Sequence, residues 1–312
     1  MEGADEARER LSGLFNIVVT PFNQDGDLDV PALADNIERV IALGYDGCLI
    51  GGTYGEFPAM SAGERAELFR RSVEAVAGRV PVMLCSADAD PRTARELTEL
   101  ASALGGVPMV TAPFVSEVTD GQIVDYFRAV TPLSRSGVVI YNAPGIGITL
   151  SAQLIERIAD IPGIVALKQG DLTPTAVDIL IGRVGGRIRL FCASDLAFLG
   201  PVAAGFDGLS STNSGAIPEL IQASYRAARS GDLPTAGELH RVWYPLRELA
   251  RRYGQPQTTK AAMAARGYRG GSVRPPLSDL DEEARQQVAA AVAGITENPF
   301  FAKISTATPE EK

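Results

Sequence analysis

Eight short apolar runs, spread over residues 15–212, limit what this chain can fold into. They are FNIVVT (15–20), GCLIGG (47–52), PVMLCS (81–86), PMVTAP (108–113), GVVIYN (137–142), GIVALK (163–168), IRLFCA (188–193) and GLSST (208–212). Several are nearly continuous in apolarity rather than alternating, as strands buried on both faces of a parallel sheet are. Consecutive parallel strands need a crossover, usually a helix. The intervening segments supply it. SAGE (61–64) is a capping box ahead of RAELFRRSVEAVA, TDGQ (119–122) is another ahead of IVDYFRAV, and Thr173 before Pro174 fits a helix start. Strand and helix thus alternate eight times. The expected fold class is α/β, a (β/α)8 TIM barrel over residues 11–230, with a doubly wound open sheet as second choice.

Past Gly231 the pattern changes. DLPTAGELHRVWYPLRELARRYG, PQTTKAAMAARG and DLDEEARQQVAAAVAG read as three helices with no strand between them. Residues 231–296 are therefore expected to form a C-terminal helical appendage, followed by a tail, 297–312, that frays at its end. The 46% hydrophobic and 21% charged residues suit a globular protein. The net charge is −9, and the arginines are scattered among acids. No basic stripe exists to bind nucleic acid. No apolar stretch approaches the roughly 20 residues needed to span a bilayer, so no membrane partner is expected. The amino-terminal MEGADEARER lacks the apolar segment of a secretory signal. Cys48, Cys85 and Cys192 are odd in number and sit in apolar runs, which fits buried thiols in a reducing, cytoplasmic setting. The single histidine, His240, rules out a multi-histidine metal site and reads as a surface or packing residue on a late helix.

The chain avoids lysine. Only Lys168, Lys260, Lys303 and Lys312 stand among 29 basic residues, and Lys168 is the only one before position 260. It ends the sixth apolar run, and the C-terminal ends of barrel strands face the catalytic mouth. Alternation places it on one face with Ile164 and Ala166. An amine among apolar neighbours is poorly hydrated, which favours the free base that attacks a carbonyl and forms an imine. Arginine stays protonated and cannot do this. The structural alternative is an ion pair with Asp171. Tyr141 ends the preceding run, so its phenol would open onto the same mouth and could carry protons to and from a carbinolamine. The alternative is a rim tyrosine with its ring in the core and its hydroxyl hydrogen-bonded. GGTYGEF (51–57) follows the second run. Glycines such as Gly52 admit a ligand close to the backbone, successive N–H groups can bind an anion, and the Thr53 hydroxyl adds a donor. A 2-oxo acid, with its carboxylate beside its carbonyl, suits an anion site facing an amine.

VTPF (19–22), G-T-x-G-E (52–56), Y-N-x-P (141–144) and Lys168 occur in the order and near the spacing of one family. Over residues 11 to about 230, and loosely beyond, the chain resembles the dihydrodipicolinate synthase and N-acetylneuraminate lyase family of class I aldolases. The resemblance implies a barrel, a homotetramer, and a Schiff base between Lys168 and pyruvate or another 2-oxo acid. It makes Tyr141 the proton shuttle. Thr53 and the backbone around Tyr54 would hold the carboxylate, and Asp195, Ser211 and Thr212 would lie near the rest of the substrate. It implies no metal or organic cofactor, and partners that are a 2-oxo acid and an aldehyde.

The departures from the family matter too. Tyr54 stands where the family usually has threonine, so a carboxylate contact is either lost or rebuilt. Tyr54 would either narrow the pocket around an aromatic or apolar aldehyde or supply a hydroxyl missing elsewhere. APFV (112–115) stands where the synthases carry a tyrosine pair, and GIGIT (145–149) where they carry an arginine for the second substrate. QGD after the lysine is shorter than the usual pattern. The expectation is a pyruvate-type lyase that does not make dihydrodipicolinate. A 2-oxo acid dehydratase or hydratase-aldolase is one alternative, and a non-catalytic small-acid-binding paralogue is another.

Overall fold

The computed structural model describes residues 2–306 apart from Ser116 and Gly145; the end of the expected tail, 307–312, lies outside the described residues. Strand β1 (Gly13–Ile17) pairs in parallel with β2 (Gly47–Ile50). Pairing then runs in chain order through β3 (Val82–Cys85), β4 (Val107–Thr111), β5 (Val138–Asn142), β6 (Ile164–Gln169), β7 (Arg189–Cys192) and β8 (Gly208–Ser211). β8 pairs back onto β1, from Gly13 opposite Gly208 to Asn16 opposite Ser211. The sheet is therefore a closed barrel and not the open alternative. Closure gives every strand two neighbours and leaves no edge of unpaired backbone.

Helices follow the strands, from Val30–Ala42 through Pro218–Arg229. The two expected capping boxes start the helices Ala62–Val76 and Asp120–Val130, each with its reciprocal side-chain and backbone bonds. Thr173 occupies the N-cap of Pro174–Val184, yet its hydroxyl turns to Asp171 Oδ1 at 3.1 Å instead of capping.

Inside the barrel, bulky and small residues interlock. The rings of Phe15 and Phe191 stack 4.9 Å apart. A Cβ on Gly47 would come within 1.6 Å of the Phe15 ring, and one on Gly208 within 2.4 Å of Phe191. Each glycine is the register partner of the ring it faces on the adjacent strand, and together the two leave the volume that this ring pair fills. The short helix Glu2–Arg10, not expected from the sequence, plugs the end of the barrel away from the mouth. It packs Ala4 into the interior cluster, while Arg189 Nε donates to Arg8 O at 3.0 Å.

One register expectation fails. Val138 pairs with Ile164, but the next residue, Val139, pairs with Ala166, so β6 bulges at Val165. Ile164 joins the outer layer between strands and helices, and Val165 with Ala166 faces the interior. The extra residue breaks strict alternation, as bulges do. Lys168 still faces inward with Ala166, but not with Ile164.

The stretch read as one helix after Gly231 is two, Leu233–Val242 and Tyr244–Tyr253. Pro245 sits in the first turn of the second helix, where it cannot continue the hydrogen bonding of the first. Gln257–Ala265, Glu282–Thr296 and Pro299–Thr306 follow. Among the described residues, no helix is long and apolar enough to cross a membrane.

Candidate active site

The inward alternation of β5 and β6 brings two of the expected site side chains together. Tyr141 is the register partner of Lys168, and the lysine Nζ lies 4.1 Å from the phenol ring centroid. Lys168 is only 3% exposed. Among the described residues it has no hydrogen-bond acceptor and no carboxylate within ion-pair distance. Asp171 does not reach it, because its Oδ1 accepts from the backbone N–H and hydroxyl of Thr173. The amine instead borders a cavity of about 290 Å³ at the C-terminal end of the strands, lined by Thr53, Tyr54, Tyr141, Ala143, Lys168 and Ser194 among others.

Thr53 comes from the turn after β2. Its Oγ1 lies 2.8 Å from Tyr141 Oη, a bond across 88 positions of sequence in which either hydroxyl can donate. The turn itself is one 3-10 turn, Thr53–Gly55, with Gly52 at its start. The Gly55 and Glu56 amides close onto the Gly52 and Thr53 carbonyls, which leaves the Thr53 and Tyr54 amides at the open end. Tyr54 is 38% exposed, and burial of part of its ring pushes its phenol pKa up, with Tyr141 and Asp195 adding to the shift.

A second cavity, about 270 Å³, adjoins the first across Tyr54, Ala193 and Ser194 and is roofed by residues 250–255 of the C-terminal helices. Asp195 and Thr212 line it. Ser211 lines neither cavity. Its Oγ donates to Asp195 Oδ2 at 2.5 Å and accepts from Ser214 N. Asp195 also accepts from the Asn213 backbone and side chain. Burial pushes its pKa up, and these hydrogen bonds from Ser211 and Asn213 oppose the shift. His240 is a packing residue. Its ring meets Phe198 and Trp243 edge-on, and Nε2 contacts Asp195 O at 3.1 Å.

A model of the Dihydrodipicolinate synthetase family matches residues 10–295. The chain belongs to that family. It is accordingly an enzyme of the lyase type. A 4-hydroxy-tetrahydrodipicolinate synthase from Sorangium cellulosum is 34% identical over 286 residues, covering 90% of this chain and 95% of the relative. Among solved structures, a dihydrodipicolinate synthase from Bacillus anthracis superposes with a TM-score of 0.85 at 26% identity, over 90% of this chain and 97% of that one. A prophage protein of the dihydrodipicolinic acid synthase family from E. coli K12, solved in complex with pyruvate, matches with a TM-score of 0.86. Its identity is 27%, over 92% of this chain and 99% of that one.

Within this family framework, several residues around the mouth were not singled out from sequence. Ser194 and Ser210 line the cavities. Beneath the Thr53 turn, Glu56 takes a left-handed backbone conformation, φ 61°. That conformation costs a non-glycine residue about 1–2 kcal/mol. It is held by a buried pair, Lys260 Nζ to Glu56 Oε1 at 2.6 Å. Lys260 also donates to Thr20 O and Ser272 O, and the Arg274 amide donates to Glu56 Oε2. The scarcity that marked Lys168 marks Lys260 as well, and the same reasoning would have found it.

Proposed function

We propose that this enzyme forms a Schiff base between Lys168 and pyruvate or a related 2-oxo acid, and catalyses aldol cleavage or condensation. The observation that carries the reading is the unpartnered Lys168 amine beside a cavity and next to the Tyr141–Thr53 hydroxyl pair. The amine lone pair attacks the 2-oxo carbon. Tyr141 relays one proton from the attacking nitrogen to the oxygen and gives it a second, the oxygen leaves as water, and Thr53 exchanges protons with Tyr141. The protonated imine then accepts the electron pair of the breaking C3–C4 bond, or of a C3–H bond when the reaction runs toward condensation. The Thr53 hydroxyl and the amides at the open end of its turn would hold the carboxylate. The pyruvate complex of the prophage relative supports the 2-oxo acid.

Pyruvate with borohydride, followed by intact-mass and peptide mapping, tests the reading. One reduced adduct on the Lys168 peptide is expected. An unmodified chain with every 2-oxo acid tried would end it. The family likeness further supports a cytoplasmic homotetramer. Light scattering should then give a mass near four times 32.9 kDa.

A further inference from the structure

The cavity beyond Tyr54 is not used by the imine chemistry, and its polar groups divide sharply. Some are spent. Ser210 Oγ donates to Cys192 O, and both Asp195 oxygens accept from Ser211 and Asn213. Gln255 is tied at both ends, to Asn213 and Thr259. The Ser194 hydroxyl accepts from Leu196 N but keeps its own hydrogen to give. Three further donors are unspent. Tyr54 Oη, the Thr212 hydroxyl and the Arg251 guanidinium have no hydrogen-bond or ion-pair partner among the described residues. Thr212 is a buried residue whose hydroxyl oxygen stays accessible at the wall of the cavity. Among the described residues that line the cavity the one carboxylate, Asp195, already accepts from Ser211 and Asn213. A ligand group entering here therefore meets free donors, with the exposed Arg251 guanidinium as their positive charge.

We propose that this cavity receives a second carboxylate, at the far end of the substrate, with Arg251 as its charged partner and Thr212 and Tyr54 as hydroxyl donors. A planar guanidinium matches a carboxylate in shape and charge. One guanidinium balances a monoanion, whereas a phosphate dianion would be left half neutralised. The substrate class is then acid-terminated 2-oxo compounds or the acid-terminated aldehydes they release, rather than aromatic or apolar ones. The proposal rests on the reading that the first carboxylate and the oxo group sit over Lys168. Arg251 lies on Tyr244–Tyr253, so the C-terminal helices would set specificity while the barrel does the chemistry.

Calorimetry tests this without needing turnover. The affinities of 2-oxoglutarate, 2-oxoadipate and 2-oxopimelate are compared with those of the monoacids of equal length, 2-oxopentanoate, 2-oxohexanoate and 2-oxoheptanoate. At least one diacid should bind about tenfold more tightly than its monoacid counterpart. Arg251→Gln should erase that preference, and Arg251→Lys should keep part of it. No diacid preference at any length, or a preference that survives Arg251→Gln, overturns the proposal. Borohydride trapping of pyruvate on the wild-type chain runs alongside. A diacid preference without an adduct would sink the imine reading and leave this site standing; an adduct without the preference would do the reverse.

Discussion

Lys168 and Lys260 are equally buried, each 3% exposed, and their surroundings are opposite. Each of the three Lys260 N–H bonds meets an acceptor: Thr20 O at 2.8 Å, Ser272 O at 2.6 Å and Glu56 Oε1 at 2.6 Å. Burial pushes its pKa down and the Glu56 carboxylate opposes that shift. Lys168 has a cavity on one side and a phenol ring on the other. A buried amine costs free energy unless it is paired and hydrogen-bonded. A fold that keeps one unpaired beside open space has left it available to a ligand. The difference teaches that burial alone does not mark a reactive lysine; the inventory of its partners does.

Replacing the two lysines in turn is the strongest way to break this comparison. Lys168→Met should abolish the pyruvate adduct completely, while the urea midpoint holds or rises because a poorly solvated amine has been removed. An adduct that persists and maps to Lys260 would reverse the assignment of the two roles.

Tyr141→Phe probes the neighbour of the unpaired amine. Loss of a proton-transferring hydroxyl should slow turnover by about 10²–10⁴-fold. Thr53→Val, which removes the partner of Tyr141 and one proposed carboxylate donor, should raise KM and lower kcat less than Tyr141→Phe does. Equal losses would make the pair a single unit.

Lys260→Met should cost about 3–5 kcal/mol of folding free energy in urea titration, since it strands the Glu56 carboxylate. Adding Glu56→Gln should cost clearly less than the two single losses summed. Simple additivity would mean the pair is not coupled.

The smallest effect belongs to the rim of the same cluster. Arg274 Nη2 donates to Glu64 at 2.6 Å and, with the Ser61 amide, holds the Glu64 pKa at about 2, below its ordinary 4.5. The stability this contributes is present above pH 4.5 and is lost as pH falls toward 2. Glu64→Gln should flatten that acid limb of the melting profile only slightly, because the side chain is 45% exposed.

The eight strands were legible because burial on both faces writes continuous apolar runs into the chain. The two capping boxes were legible because they are local. The helix Glu2–Arg10 was not, since its charged sequence carries little sign of the interior it plugs. Nor was the bulge at Val165, which depends on how β5 and β6 pair. At the site, Lys168, Tyr141 and Thr53 stood out by residue type and motif. That Tyr141 and Thr53 touch across 88 positions did not. Asp195 and Ser211 were read as lying near the substrate. The structure bonds them to each other, Asp195 also to Asn213 and Ser211 also to the Ser214 amide, while Thr212 and Arg251 have no hydrogen-bond partner among the described residues at that cavity.

What the chain of residues determined alone was the alternation of strand and helix and the identity of a few rare side chains, because hydrophobic period and residue type are local properties. Which strand closes on which, and which lysine finds a carboxylate 204 positions away, were decided only by the tertiary structure. Partnership across such distances depends on barrel closure and on where the C-terminal helices dock, and no local pattern encodes either.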